Sequence, residues 1–278
     1  MALTINTNVA SLNAQRNLTS TQLALSKSME RLSSGLRINR AGDDAAGLAI
    51  SQNMQANIRS MNQAVRNAND GISLMQTAEG ALNETSNILL RMRELGTQAA
   101  NGTLSDTQRT SINNEFKSLQ DEIDRISNVT EFNGKKLLNG SLSAGMNLQV
   151  GTGTTKNNDY INVSFTKADT ATLKVDKGTV DVSSEDNART ALTAIDSAIS
   201  TIAANRGDLG AVQNRLQSTI NNLQVAVENT SAANSRIVDV DIASESANMT
   251  RAQILTQAGV SILSQANQSP QLALKLLG

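Results

Sequence analysis

INNEFKSLQDEIDRI, residues 112–126, sets Ile112, Phe116, Leu119, Ile123 and Ile126 at steps of four, three, four and three. That spacing is a heptad seam: one apolar stripe along a helix whose other faces are polar. Such a helix is marginal alone in water and needs a partner for its stripe. Candidates lie on both sides. Upstream, Met54, Ile58, Met61, Val65, Ile72 and Met75 continue through Leu82, Leu89 and Met92; downstream, Leu209, Val212, Leu216, Ile220, Leu223 and Val227 keep the same mixed step. Farther out, Leu12, Leu18, Leu23, Leu25, Met29, Leu32 and Leu36 form an N-terminal stripe. Met249, Ile254, Leu255, Val260, Ile262, Leu263, Leu272, Leu274, Leu276 and Leu277 crowd the C-terminal end.

Punctuation separates these runs. Gly35, Gly42 and Gly47, with Asn39, Asp43 and Asp44, predict a break within residues 31–51, and Asn101-Gly102 predicts a second. Ser105 or Asp106 and Ser183 or Ser184 are the expected helix caps after such breaks. The two Asn-Gly pairs of FNGKKLLNGS, residues 132–141, signal turns. Short hairpin strands are expected at Leu148–Val150, Tyr160–Phe165, Ala171–Val175 and Val180–Val182. Pro270 can open a short terminal helix or kink a continuous one.

The expected fold is therefore mainly α: a helical-bundle rod whose N- and C-terminal helices pair as a coiled coil, with a small central β-hairpin region. Residues 1–43 and 235–278 form the terminal coil, and residues 44–234 the bundle. Leucine and isoleucine on several faces of the terminal pair cannot all be buried internally, so copies of the same chain are the simplest partner.

Composition excludes much chemistry. The 278 residues include no Cys, His or Trp, one Tyr and three Phe. Thiolate or imidazole metal sites, a His general base and a thiol nucleophile are thereby absent. With aromatics at 1 %, a dense globular core is expected to be difficult to build. A net charge of −1, with Arg31, Arg37, Arg40, Arg59 and Arg66 dispersed and no aromatics between them, gives no nucleic-acid or membrane surface. No apolar run is long enough to span a bilayer, and the N-terminus has no basic-then-apolar leader. Asp43–Asp44 reads as turn chemistry, and Asp121, Glu122 and Asp124 as a solvated helix face. GTGTTKN, residues 151–157, lacks the Gly-Lys-Ser/Thr ending of a phosphate loop. No cofactor, metal or catalytic residue is expected.

Longer stretches carry a resemblance. MALTINTNVASLNAQRNL (1–18), RLSSGLRINRAGDDAAGLAIS (31–51), LLRMRELGTQAANGTLSD (89–106), DEIDRISNVTEFNGKKLLNG (121–140) and ANQSPQLALKLLG (266–278) resemble bacterial flagellins. The likeness covers roughly 1–140 and 185–278; with about 45 residues between the halves, the family's large outer domains look absent.

The resemblance implies a structural subunit of the bacterial flagellar filament, serving swimming motility, with the paired termini lining the filament core. It implies an extracellular protein exported without a cleaved signal peptide. A secretion chaperone on the C-terminal arm, a filament cap protein and a hook–filament junction protein are the implied partners, besides copies of itself. Leu12, Leu18, Leu25, Met29, Leu32, Leu255, Ile262, Leu263, Leu274 and Leu277 are the residues expected to pack the terminal coil and filament core. Gly42, Asp43, Asp44 and Gly47 are expected to form the interdomain linker. By the same resemblance, Arg91, Leu95 and Glu115 would contact a vertebrate Toll-like receptor. A hook–filament junction protein and a free coiled-coil adaptor are the competing readings; a metalloprotease-bearing flagellin would need an HExxH motif, which a chain without His lacks.

Overall fold

The computed structural model describes residues 7–156 and 158–277, with side chains described as far as residue 268. In chain order the elements are α1 (Val9–Ser34), α2 (Ala45–Ala99), α3 (Asp106–Val129), β1 (Glu131–Phe132), β2 (Lys135–Lys136), β3 (Met146–Gln149), β4 (Tyr160–Val163), α4 (Glu185–Val238) and α5 (Ile242–Leu277). The chain divides into two units: residues 1–56 with 228–278, and residues 57–227.

Local chemistry sets the helix ends. Asn8 caps α1 by accepting from the Ser11 amide at 3.1 Å, and Gly35 closes it in the left-handed region (φ 72°), donating to Arg31 O. A Cβ is costly at that backbone angle, which is why glycine stands there. Ser105 and Gln108 form a reciprocal capping box before α3. Ser184 receives the Asn187 amide at 3.1 Å and starts α4, with Glu185 and Asp186 in its first turn. Helix α5 runs through Pro270 as one element.

Within the 57–227 unit, α2 and α4 run antiparallel. Arg93 meets Asp196 at 2.7 Å, and a Cβ on Gly96 would lie 3.1 Å from Leu192. Their stripes and that of α3 share one core with Leu137, Val163, Phe165, Val175 and Val182 of the central segment. The scarcity of aromatics does not thin this core, contrary to expectation. Met75, Leu89, Met92, Ile123 and Ile195 are fully buried around Phe116 and Phe165, because aliphatic and Met side chains interdigitate along close-packed helices.

The sheet content is smaller than the sequence suggested. β1–β2 and β3–β4 are separate two-stranded antiparallel ladders, with Phe132 opposite Lys135 and Leu148 opposite Ile161. Asn133 (φ 49°) and Gly134 (φ 75°) make the tight turn between β1 and β2. Ala171–Val175 and Val180–Val182 are not strands. The first winds into turns through Leu173 N to Asp169 O and Val175 N to Thr170 O, with Lys174 at φ 58°. The second follows a turn closed by Val180 N to Asp176 O.

These segments pair with side chains of α3 instead of with another strand. The buried Gln120 amide donates to Val175 O at 2.7 Å and Val180 O at 3.0 Å. Asn113 accepts from the Val182 amide at 3.2 Å, and the Ser127 hydroxyl donates to Leu138 O at 2.7 Å. Asp124, expected on a solvated face, accepts from both the amide and the hydroxyl of Thr170 at 2.9 Å. Buried backbone groups must find partners, and here a helix supplies them from its polar residues.

Candidate functional site

The unit formed by residues 1–56 and 228–278 is dominated by α1 lying antiparallel on α5. Its ends fix the direction: Asn8 Nδ2 donates to Ala266 O at 2.8 Å and the Ser11 hydroxyl to Asn267 Oδ1 at 2.7 Å. At the other end the Ser28 hydroxyl donates to Glu245 Oε1 at 2.5 Å.

The inward positions follow a heptad on both helices. On α1 they are Ser11, Ala14, Leu18, Thr21, Leu25, Ser28 and Leu32; on α5 they are Glu245, Met249, Ala252, Thr256, Gly259, Leu263 and Ala266, all buried or half-buried. Steps of three and four residues place each set on one face. Much of this seam is small or polar, which brings the helices close. A Cβ on Gly259 would stand 3.3 Å from Leu18 Cδ1.

Other large apolar residues lie off the seam. Val9, Leu12, Leu23 and Met29 on α1, and Ile254, Leu255, Val260 and Ile262 on α5, are exposed. Thus Leu18, Leu25, Leu32 and Leu263 fall on the α1–α5 seam, whereas Leu12, Met29, Leu255 and Ile262 point away from it. The side chains of Leu274 and Leu277 lie outside the described residues. A search for leucines alone merges two stripes into one; strict heptad spacing through Ser11, Ala14, Thr21 and Ser28 separates them.

Beside the coil, residues 35–44 join α1 to α2 through a compact turn. Leu36 bridges Asp239, with Arg37 N donating to Val238 O at 2.6 Å and Val240 N to Gly35 O at 3.0 Å. Asp43 Oδ2 accepts from the amides of Asn39 and Arg40 at 3.2 and 3.1 Å, while Oδ1 meets Lys27 Nζ at 2.8 Å. The Lys27 contact first, and then the Arg40 amide, hold the Asp43 carboxyl down at about 2. Asp44 caps α2, accepting from the Gly47 amide at 2.8 Å.

Two of the expected linker glycines have different roles. Gly42 sits in an open turn where a Cβ would meet nothing within 4 Å. Gly47 is not in the linker: it belongs to the first turn of α2, buried so closely that a Cβ would fall 2.7 Å from Ile38 Cδ1 and 2.6 Å from Asp44 Oδ2. A helical start needs no glycine by itself; the packing demands it.

In the 57–227 unit, Arg91 and Glu115 are brought together across α2 and α3. Arg91 donates to Glu94 at 2.8 Å and, through Nε and Nη2, to Glu115 at 3.1 and 2.8 Å. The Glu94 bond, followed by that to Glu115, raises the Arg91 pKa. Leu95 does not join this surface. It is only 2 % exposed and belongs to the core, one turn beyond Met92. The exposed apolar neighbour of Arg91 is Leu90.

Residues 5–143 match the bacterial flagellin N-terminal helical region and residues 192–277 the bacterial flagellin C-terminal helical region. Flagellin of Halalkalibacterium halodurans is 48 % identical over 273 residues, covering 98 % of this chain and 99 % of that protein. Flagellin of Bacillus subtilis is 47 % identical over 302 residues, with the same shares covered. Among solved structures, a putative flagellar hook-associated protein from Vibrio parahaemolyticus shares the fold at a TM-score of 0.59 and 18 % identity, covering 71 % of this chain and all of that one. The chain belongs to the bacterial flagellin family. It is a self-assembling structural subunit of the extracellular flagellar filament, of the short form, and not an enzyme.

Proposed function

We propose that the terminal coiled coil drives filament growth by burying its outward apolar stripes against other copies of the chain. The observation that carries this reading is the division of labour along α1 and α5. Leu18, Leu25, Leu32, Met249 and Leu263 share the internal seam with small and polar residues, while Leu12, Met29, Leu255 and Ile262 stay exposed in the single chain. Apolar area left in water is the main free energy available for association. The turn of residues 35–44, braced by Asp43 and Asp44, ties the end of α1 to the start of α2.

Electron microscopy of the negatively stained full chain, seeded with short filaments in a precipitating salt, tests the reading. Long fibres of uniform width are expected from the parent chain. Leu263→Asp places a charge in the seam and should yield none, while residues 57–227 stay helical by circular dichroism. Normal fibres from that variant would overturn the role given to the coil.

We also propose the export and capping partners that the resemblance implies: a secretion chaperone on the C-terminal arm, a cap protein, and a hook–filament junction protein at the base. For the vertebrate Toll-like receptor, the exposed Arg91–Glu115 pair is the proposed contact. Arg91→Ala and Glu115→Ala should each lower receptor-reporter signalling by the monomer; unchanged signalling would remove the pair from the contact.

A further inference from the structure

We propose that Glu245, held by Ser28 and Arg31, sets the register in which α5 pairs with α1. The carboxylate occupies a heptad position inside the seam and is buried along with Ser28. The Ser28 hydroxyl reaches Oε1 at 2.5 Å and Arg31 Nη1 reaches Oε2 at 3.4 Å. Arg31 Nε is buried without an acceptor, so the trio is not optimised for strength. A buried ionic group of this kind favours one pairing over others at some expense of stability.

The rest of the seam discriminates poorly. Sliding α5 by one heptad exchanges Ala252 with Gly259 and Gly259 with Ala266, and presents Leu25 where Leu18 stood. Small residues fit any of those registers. Glu245 does not. A slide in one direction sets it beside Thr21, between Leu18 and Leu25, with Ala24 in the place of Arg31. One hydroxyl remains, but the guanidinium is gone and a carboxylate faces two leucines. A slide in the other direction carries it past Ser34, where α1 ends, and abandons the seam contact altogether. Register matters for the proposed assembly because sliding α5 by one heptad moves its outward stripe about 10 Å along α1.

The absence of Cys makes the register directly readable. In the full chain, Leu18→Cys is combined with Gly259→Cys for the native pairing, or with Ala252→Cys or Ala266→Cys for the two slipped ones. Leu18 Cβ stands 3.9 Å from the position of a Cβ on residue 259, within disulfide reach. The slipped positions lie about 10 Å along the helix axis, beyond that reach. Each pair is oxidised in polymerising salt, and the intramolecular product is counted by mass and non-reducing mobility in the pelleted fibre.

With Glu245 intact, only the 18–259 pair should close. Glu245→Leu should raise the slipped products about tenfold relative to the native one, whereas Glu245→Gln, which keeps an acceptor for Ser28, should stay native. Slipped products that remain at the parental level in Glu245→Leu overturn the proposal, as do slipped pairs that close equally well in the parent. Copolymerisation with an excess of the parent chain carries Glu245→Leu into fibre, so the readout is kept if that variant does not polymerise alone.

Discussion

Replacing Ile254, Leu255 and Ile262 together by Ala tests the assembly surface quantitatively. These side chains are 62, 52 and 57 % exposed, so roughly half of each remains to be buried by a neighbouring copy. Full burial of a Leu or Ile side chain contributes about 1.5–3 kcal/mol, and the exposed half therefore about 1 kcal/mol. Three such losses sum to roughly 3–4 kcal/mol per added subunit, which at tenfold per 1.4 kcal/mol raises the critical concentration a few hundredfold. Alanine is the best helix former, so α5 itself is not weakened and the loss cannot be ascribed to helix fraying. The assay is seeded polymerisation followed by sedimentation, with free chain measured in the supernatant. A variant whose critical concentration stays within about twofold of the parent, when a few hundredfold is expected from the area, would refute burial of this stripe on assembly.

Other regions give independent tests. Gln120→Leu removes two donors to the buried Val175 and Val180 carbonyls but also relieves the unpartnered Gln120 Oε1. The balance should be a loss of about 1–3 kcal/mol by thermal or denaturant unfolding of residues 57–227; a neutral result would show that these carbonyls do not depend on Gln120. Gly47→Ala forces a Cβ against Ile38 and Asp44 and should destabilise the start of α2 by about 1–3 kcal/mol, read as faster amide exchange at residues 45–50. The Asp43 carboxyl is depressed to about 2, so its contribution to the 35–44 turn is present above the unfolded carboxylate value of about 3.9 and is lost as pH falls towards 2. Exchange protection of the Asn39 and Arg40 amides should therefore fall over that window in the parent chain. In Asp43→Asn it should be low and flat with pH, and a parental profile in that variant would exclude the carboxylate as the brace.

The sequence alone determined the helices, because heptad spacing and capping residues act locally. The stripes through Ile112–Ile126 and Leu209–Val227, the breaks within residues 31–51 and at Asn101–Gly102, and the cap sites at residues 105–106 and 183–184 are all written within a few turns of chain. It also excluded His- and Cys-based catalysis through composition, and its longer segments were sufficient for the family.

What the tertiary structure decided depends on who faces whom. Leu12 and Leu18 are alike in sequence, but only the position of α5 puts Leu18 in the seam and leaves Leu12 in water. Leu95 is grouped with Arg91 and Glu115 by the family resemblance, but the packing of α2 buries it in the core. Val180–Val182 reads as a strand because β-branched residues alternate there. Its backbone instead follows a turn and pairs with Asn113, because α3 offers side-chain hydrogen bonds where no neighbouring strand among the described residues does. Gly47 reads as a flexible link, yet it is fixed by the 2.7 Å that separates its absent Cβ from Ile38. Residue spacing reports which face of a helix is apolar; only the packed partner decides which apolar face is buried within the chain and which is left for the next copy.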